Sequence, residues 1–300
     1  MKKKTYLFAL MTMVLTLGSC SDNENGIGGE TSKYITVSTI IDNMTRVATD
    51  ANGGQTFEEG DEISVYAWTG APTVAPETSE RVVNNAINKL TNGSWISTPQ
   101  MLWKNNRDKH YFIGVYPTAV ISDLSAGEYT FDVNKQTESD LLVAVNKDGL
   151  SYNADAQQTV PLTFTHVMAK LVVNLTYKNQ WGGIPTVEKV VVGNAAKEAT
   201  INYLTKVVTP STTAKEDFSL PEITENTKYV SVIIPQEEVK QLTIVIGGKN
   251  FVYDNGTPFK LESGKITTVN LEVGRDEIKL GDVKITDWED GSTFSGEALN

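Results

Sequence analysis

The stretch "PLTFTHVMAKLVVNLTY" (Pro161–Tyr177) decides the fold because its apolar phase changes in the middle. In the first part of the stretch, the residues that share one face occupy even positions. They are Leu162, Phe164, His166 and Met168. From Ala169 onward the apolar side chains occupy odd positions, and a shift of one residue exchanges the two faces of a strand. The chain therefore either bulges near residues 167–169 or leaves one β-sheet there and enters another. We predict a domain boundary at this shift.

Most of the remaining chain also shows the period of two that is typical of β-strands. The run "YITVSTII", for example, places Ile35, Val37 and Ile41 on one face. Turn residues separate about 13 or 14 such runs, which is too many for one seven-stranded sandwich and suits two. We therefore predict an all-β chain with two β-sandwich domains in tandem, over residues 34–168 and 169–300.

Two dipeptides predict tight hairpin turns of the primed types, Asn92-Gly93 and Gly247-Gly248. One segment before the first of them, "SERVVNNAINKL" (79–90), has a competing periodicity. Five apolar residues there have a spacing that suits one face of a helix: Val82, Val83, Ala86, Ile87 and Leu90. We predict a short helix or a loop in this segment, followed by the hairpin.

The beginning of the chain carries an export signal. Three lysines (2–4) precede the apolar run Tyr6–Leu17, which is shorter than the roughly 20 apolar residues of a membrane-spanning helix. The sequence "LGSC" that follows resembles a bacterial lipobox, in which the cysteine sulfur is acylated. We predict that residues 1–19 are a lipoprotein signal peptide and that Cys20 is the lipidation site. The alternative is an ordinary signal peptide with an incidental cysteine.

Composition after the signal favours an exported, acidic protein. Cys20 is the only cysteine, so a lipidated chain has no disulfide and no cysteine-bound metal. Residues 20–33 are polar and rich in glycine, and we expect a flexible tether that spans about 20 Å. The formal net charge is −11, and removal of the three signal lysines leaves 23 basic against 37 acidic residues. Such a charge argues against nucleic acid as a partner.

No pattern of catalytic or metal-binding residues is present. We predict that His166 is buried, since it lies in phase with Leu162 and Phe164, and that His110 is exposed at the start of a strand. The loop "DANGGQTFEEGD" (50–61) lacks the glycine and the final glutamate of a calcium loop. Adjacent carboxylates in "DWED" (287–290) point to opposite faces of a strand and converge poorly for acid–base chemistry. We predict no enzyme activity, no catalytic residue, no metal and no cofactor.

Aromatic residues are frequent in the first half of the chain. They include Tyr66, Trp68, Trp95, Trp103, Tyr111 and Tyr116. Exposed rings on one face would suit a glycan-binding platform, but β-sandwich cores use the same residues. We favour the core interpretation.

Several of these segments, taken in order, resemble the fimbrillins of Bacteroidales, particularly the Mfa-like branch. They are the lipobox, "EEGDEISVYAW", "DLLVAVNKDG" leading into "VPLTFTHVMAKLVVNL", "FKLESGKITTVNLEV" and the late "VKITDWEDG". The resemblance implies two transthyretin-like Greek-key sandwiches and a structural or adhesive role. It also implies a lipidated precursor that reaches the outer membrane, is trimmed by a protease, and assembles with other fimbrial subunits at the cell surface.

The resemblance further implies a maturation cut after an arginine just past the first strand. Arg46 holds the matching position, and the other arginines, Arg81, Arg107 and Arg275, do not lie between the first and second strands. Loss of the first strand would allow strand exchange with another subunit, for which the donor in the family is the C-terminal segment, here Asp290–Asn300. Two alternatives are a tip or anchor accessory subunit and a surface lipoprotein that binds a glycan on a host or bacterial surface.

Overall fold

A computed structural model describes residues 33–42, 56–154 and 158–288. Within these ranges the chain is almost entirely β, which confirms the predicted all-β class. The exceptions are one short α-helix (Gln136–Ser139) and two 3-10 helices (Thr78–Glu80 and Asn179–Trp181). No helix of the described part of the chain is both long and apolar enough to span a membrane.

The first part of the chain forms a seven-stranded sheet in the order β1-β8-β7-β5-β2-β3-β4. A further short strand, β6, lies outside it. The bounds are β1 Thr36–Ile41, β2 Glu62–Thr69, β3 Val83–Thr91, β4 Ser94–Thr98, β5 His110–Tyr116, β6 Gly127–Thr130, β7 Leu142–Leu150 and β8 Thr159–His166.

The second part contributes three sheets, with the orders β13-β10-β16-β17, β12-β11-β6 and β14-β15-β9-β18-β19. β6 therefore pairs with a strand from the later part of the chain. The bounds are β9 Ala169–Tyr177, β10 Val187–Ala196, β11 Glu198–Asn202, β12 Val207–Pro210, β13 Lys215–Ser219, β14 Glu222–Thr224, β15 Lys228–Ile233, β16 Gln236–Ile246, β17 Lys249–Leu261, β18 Lys265–Val273 and β19 Ile278–Asp287.

The phase change in the opening stretch marks a change of sheet. β8 ends at His166 in the seven-stranded sheet, and β9 begins at Ala169 in the five-stranded sheet. Both strands are parallel to a neighbour, β8 to β1 and β9 to β18. Of the two interpretations of the phase change, passage into a second sheet is therefore the one observed. The division into domains at residues 168 and 169 stays a prediction.

Both predicted hairpin turns are present, but the helical spacing near the first one has another cause. Asn92, Gly93, Gly247 and Gly248 all have positive φ, as primed turns require. Residues 83–91 form strand β3, which contains an extra residue opposite β2: Val65 pairs with Ala86, whereas Ala67 pairs with Val83. Asn85 takes φ 57° at this bulge. The bulge puts residues three apart on the same buried face, which imitates a helix.

The expectation that His110 is exposed is wrong, because its side chain is fully buried. The backbone N–H of Lys104 donates to His110 Nε2 at 3.0 Å, and His110 Nδ1 lies 3.1 Å from the carbonyl oxygen of Asp108. The indole of Trp103 packs edge-on against the imidazole with ring centroids 5.0 Å apart. This loop before β5 covers the ring and holds the neutral form with its proton on Nδ1.

Burial lowers the pKa of His110 below its ordinary value. The unfolded chain therefore binds a proton near pH 6.5 that the folded chain does not, and stability falls as the pH drops from about 7 toward the folded pKa. We expect His110 to lower the free energy of unfolding by up to about 1.4 kcal/mol for each pH unit of acidification in that window. Urea unfolding of the wild type and His110→Gln at pH 7, 6 and 5 measures it. Equal pH slopes for both proteins would contradict the assignment.

Two groups of buried apolar side chains stabilise the fold. The smaller one lies in the seven-stranded sheet and draws only on residues 35–164, including Ile35, Val65, Phe112 and Phe164. The larger one is continuous from Tyr66 in β2 to residues beyond β18. The opposite faces of the seven-stranded sheet thus belong to different apolar groups. We call the smaller one the β1 core, since β1 covers it.

Candidate functional site

Strand β1 is the outermost strand of its sheet and pairs in parallel with β8. Residues Thr36–Ile41 align with Thr159–Phe164 over six consecutive pairs. Because the pair is parallel and its strands lie more than 100 residues apart in sequence, no hairpin joins them. β1 is also the first strand in the described part of the chain. Its only covalent connection to the strands that follow is the segment before β2.

The predicted inward face of β1 is confirmed. Ile35 and Val37 are 2% and 6% exposed, Ile41 is half-buried, and Ile40 on the other face is 64% exposed. A fully buried side chain of this size contributes about 1.5–3 kcal/mol through the hydrophobic effect. These side chains cover the β1 core, so a sheet without β1 would present an apolar groove and an unpaired edge.

The other side of β1 contacts strand β4 and the segment that follows it. The Ile35 N–H donates to the carbonyl oxygen of Met101 at 2.9 Å, and the Trp103 N–H donates to that of Lys33 at 3.2 Å. In the middle of the strand, the Trp95 indole Nε1 of β4 donates to Thr39 Oγ1 at 3.0 Å. β1 therefore bridges β8 and the β4 end of the sheet, and its removal opens the structure on both sides.

An aromatic cluster surrounds the partly buried Phe57, just before β2. Its ring makes edge-on contacts with Trp95, Tyr116 and Phe164, with centroids 5.1–5.3 Å apart. Burial raises the pKa of Tyr116, and the Asp61 carboxylate near its hydroxyl adds to the effect. This cluster packs against the β1 core and lies beyond the predicted cut in sequence, so it would stay with the processed subunit.

The other predicted aromatic residues also belong to cores. Tyr66, Trp68, Trp103 and Tyr111 are buried. Trp95 is half-buried in the cluster around Phe57. The core interpretation is confirmed for these rings, and within the described ranges they do not form an exposed platform.

His166 lies at the end of β8, and its predicted burial is confirmed at 6% exposure. Its Nδ1 is 2.8 Å from Asp140 Oδ1. The indole of Trp288 stacks flat on the imidazole, with ring centroids 4.1 Å apart and an interplanar angle of 5°. The histidine thus connects the seven-stranded sheet to the end of β19 through a packed, polar contact that serves structure.

The two predicted site residues, Cys20 and Arg46, lie outside the described residues, and so does the segment Asp290–Asn300. In sequence, Arg46 lies between the end of β1 and the beginning of β2. Within the described ranges, no group of three or more His, Cys, Asp or Glu side chains is placed to hold a metal ion. Asp61, from the loop rejected as a calcium site, accepts a hydrogen bond from the Glu58 N–H at 2.7 Å and so closes a turn.

Several solved structures share this fold. Two crystal structures, each described as a "putative cell adhesion protein", come from Bacteroides uniformis and Bacteroides ovatus. They match with TM-scores of 0.63 and 0.62 at 19% and 17% identity, over 86% and 85% of this chain and 100% and 98% of theirs. A fimbrial protein from Bacteroides vulgatus matches with a TM-score of 0.53 at 14% identity, over 86% of this chain and 100% of its own.

No curated protein matches the sequence. The family model described as fimbrillin-like matches residues 45–288, which is most of the chain and includes every strand except β1. The resemblance drawn from the sequence motifs is confirmed by this match. The chain belongs to the fimbrillin-like family.

Proposed function

We propose that this chain is the precursor of a fimbrial subunit that assembles by strand exchange. Cys20 anchors the precursor to the outer membrane through its lipid. A cut after Arg46 then releases residues 20–46, which include β1. A strand from another subunit then occupies the place of β1. The role is structural or adhesive, and the chain performs no catalysis.

The position of β1 is the single observation that carries this proposal. It is the first described strand, it lies outermost in its sheet, and it pairs with a strand far away in sequence. A cut at Arg46 would therefore leave β1 held only by hydrogen bonds and apolar contacts. An unpaired sheet edge over an apolar groove accepts an added strand, which restores both the ladder and the buried face.

The proposal predicts that Arg46→Ala blocks polymer formation in the native bacterium. Without the cut, β1 stays tethered next to its own groove at a high effective concentration and excludes any incoming strand. Surface-sheared material, run on electrophoresis without boiling, should lose its high-mass ladder. N-terminal sequencing of the wild-type bands should begin at Val47.

Arg107→Ala is the matched control, because Arg107 is an exposed arginine in a loop between strands. It should assemble like the wild type. Deletion of Asp290–Asn300 tests whether this segment donates the strand, and Cys20→Ala tests anchoring through the loss of labelling by palmitate analogues. Polymers of Arg46→Ala as abundant as those of the wild type would contradict the proposal.

A further inference from the structure

A cleft of about 240 Å³ lies just beyond the C-terminal end of β1. Its walls come from distant parts of the chain: Asp42 follows β1, residues 165–167 connect β8 to β9, and Lys206 lies in the turn between β11 and β12. Lys265 and Asp287 also line the cleft. The cleft therefore places the residue that follows β1 among charged groups of the later sheets.

One of the two lysines in the cleft already has a counter-ion, since Lys265 Nζ forms an ion pair with the Asp287 carboxylate. Lys206 Nζ donates to the hydroxyl oxygen of Thr165 at 3.0 Å. Among the described residues, no carboxylate oxygen lies within the 4 Å of an ion pair with Lys206. A half-buried ammonium group held only by a hydroxyl is a site that favours an anion.

Asp42, an exposed residue that lines the same cleft as Lys206, is the carboxylate that acts on it from the β1 side, through space and without an ion pair. Burial lowers the pKa of Lys206, the positive charge of Lys147 lowers it further, and Asp42 raises it. The backbone of Asp42 is fixed by strand pairing, because its N–H donates to the carbonyl oxygen of Phe164 at 2.7 Å. This bond continues the parallel ladder of β1 and β8 by one residue. The pairing therefore delivers a negative charge to the cleft.

Removal of β1 would also remove Asp42 and leave Lys206 beside Lys147 without this compensation. A strand that restores the ladder but lacks the carboxylate would then bury the ammonium group unfavourably. An incoming strand would therefore meet Lys206 with the residue that comes directly after its last inward-facing side chain, the position that Asp42 occupies after Ile41.

We propose that Lys206 is a specificity-determining residue for the strand that takes the place of β1, and that it selects an aspartate or glutamate at the position of Asp42. The partner is an extended segment of another fimbrial subunit, with apolar side chains at alternate positions followed at once by a carboxylate. This inference rests on the proposed strand exchange.

The test uses the full chain with a specific protease site introduced at residues 46–52 and then cut, so that all residues remain present. A fluorescent peptide of residues 33–42, KYITVSTIID, competes with the cut β1, and its Asp42→Asn form is the comparison. We expect the acidic peptide to occupy half of the sites at a concentration about three- to fivefold lower, the size of one interaction between partly exposed charges. Lys206→Met should bring the ratio close to one.

Lys265→Met is the matched control from the same cleft, since Lys265 is already paired, and it should keep the preference. Equal binding of the two peptides by the wild type, or a preference that persists in Lys206→Met, would overturn the proposal. If neither peptide exchanges, the failure lies in strand exchange itself. Urea midpoints of the uncut Asp42→Asn, Lys206→Met and double variants then decide: additive shifts reject the interaction with Asp42, and non-additive shifts support it.

Discussion

Trp288→Ala should lower the free energy of unfolding by about 3–5 kcal/mol, the range for loss of a buried tryptophan. Trp288 is only 4% exposed, stacks on His166, and has the ammonium group of Lys170 5.2 Å from its ring centroid. Its backbone N–H also donates to the carbonyl oxygen of Gly264. Truncation would leave a cavity where the end of β19 meets the end of β8. Urea unfolding at pH 7 measures the loss.

Trp288→Phe is the control that separates ring packing from hydrogen bonding. The buried indole Nε1 has no hydrogen-bond partner within the described ranges, so its replacement by carbon removes no bond to these residues. We expect a loss below about 1.5 kcal/mol for this variant, because a ring still covers His166. A small effect of the alanine variant, under about 1 kcal/mol, would show that the stack is not an important source of stability.

Phe164→Ala is the second substitution with a large expected effect, again about 3–5 kcal/mol. Phe164 is fully buried in β8, next to Ile41 of β1 in the ladder, and its ring contacts Phe57. The ring also fills the space above Gly114 of β5, where an added Cβ would lie 2.6 Å from Phe164 Cζ. The glycine and the phenylalanine are therefore matched in size.

This match makes a double-variant test available. Gly114→Ala should cost about 1–3 kcal/mol because the rigid ring cannot move away in a packed core. In Phe164→Leu the smaller side chain makes room for the new methyl group. We expect the double variant to be at least about 0.5 kcal/mol more stable than the sum of the single losses. Additive losses in urea unfolding would contradict direct contact between the two positions.

The features that depend on local pattern could be predicted from the sequence. The alternation of apolar residues predicted the inward face of β1. The Asn-Gly and Gly-Gly dipeptides predicted two hairpins, because such turns require positive φ at adjacent residues. The phase change near residues 167–169 indicated the passage between sheets because a shift of one residue moves the apolar side chains of a strand to its other face. The structure has more strands than the predicted 13 or 14, and the short strands β12, β13 and β14 are among the additional ones. They are too brief to show a clear period.

Features that depend on distant contacts could not be predicted. The burial of His110 arises from a loop that folds over it, and strand position alone gives no sign of such a cover. The bulge at Asn85 changes a strand period into a helical one, so pattern analysis alone cannot separate the two. The parallel pairing of β1 with β8, and the cleft that brings Asp42 to Lys206, join segments more than 100 residues apart. No local signal pointed to Lys206.

The pairing of β6 with β11 has a mechanical consequence. β6 precedes the crossover at residues 166–169 and β11 follows it, yet they share a ladder from Gly127↔Ile201 to Thr130↔Glu198. The larger apolar core also extends across both parts. Tension applied along a filament of such subunits would have to break this ladder and expose that core before the crossover could stretch. Each subunit should therefore behave under load as one stiff link, without a hinge at its middle.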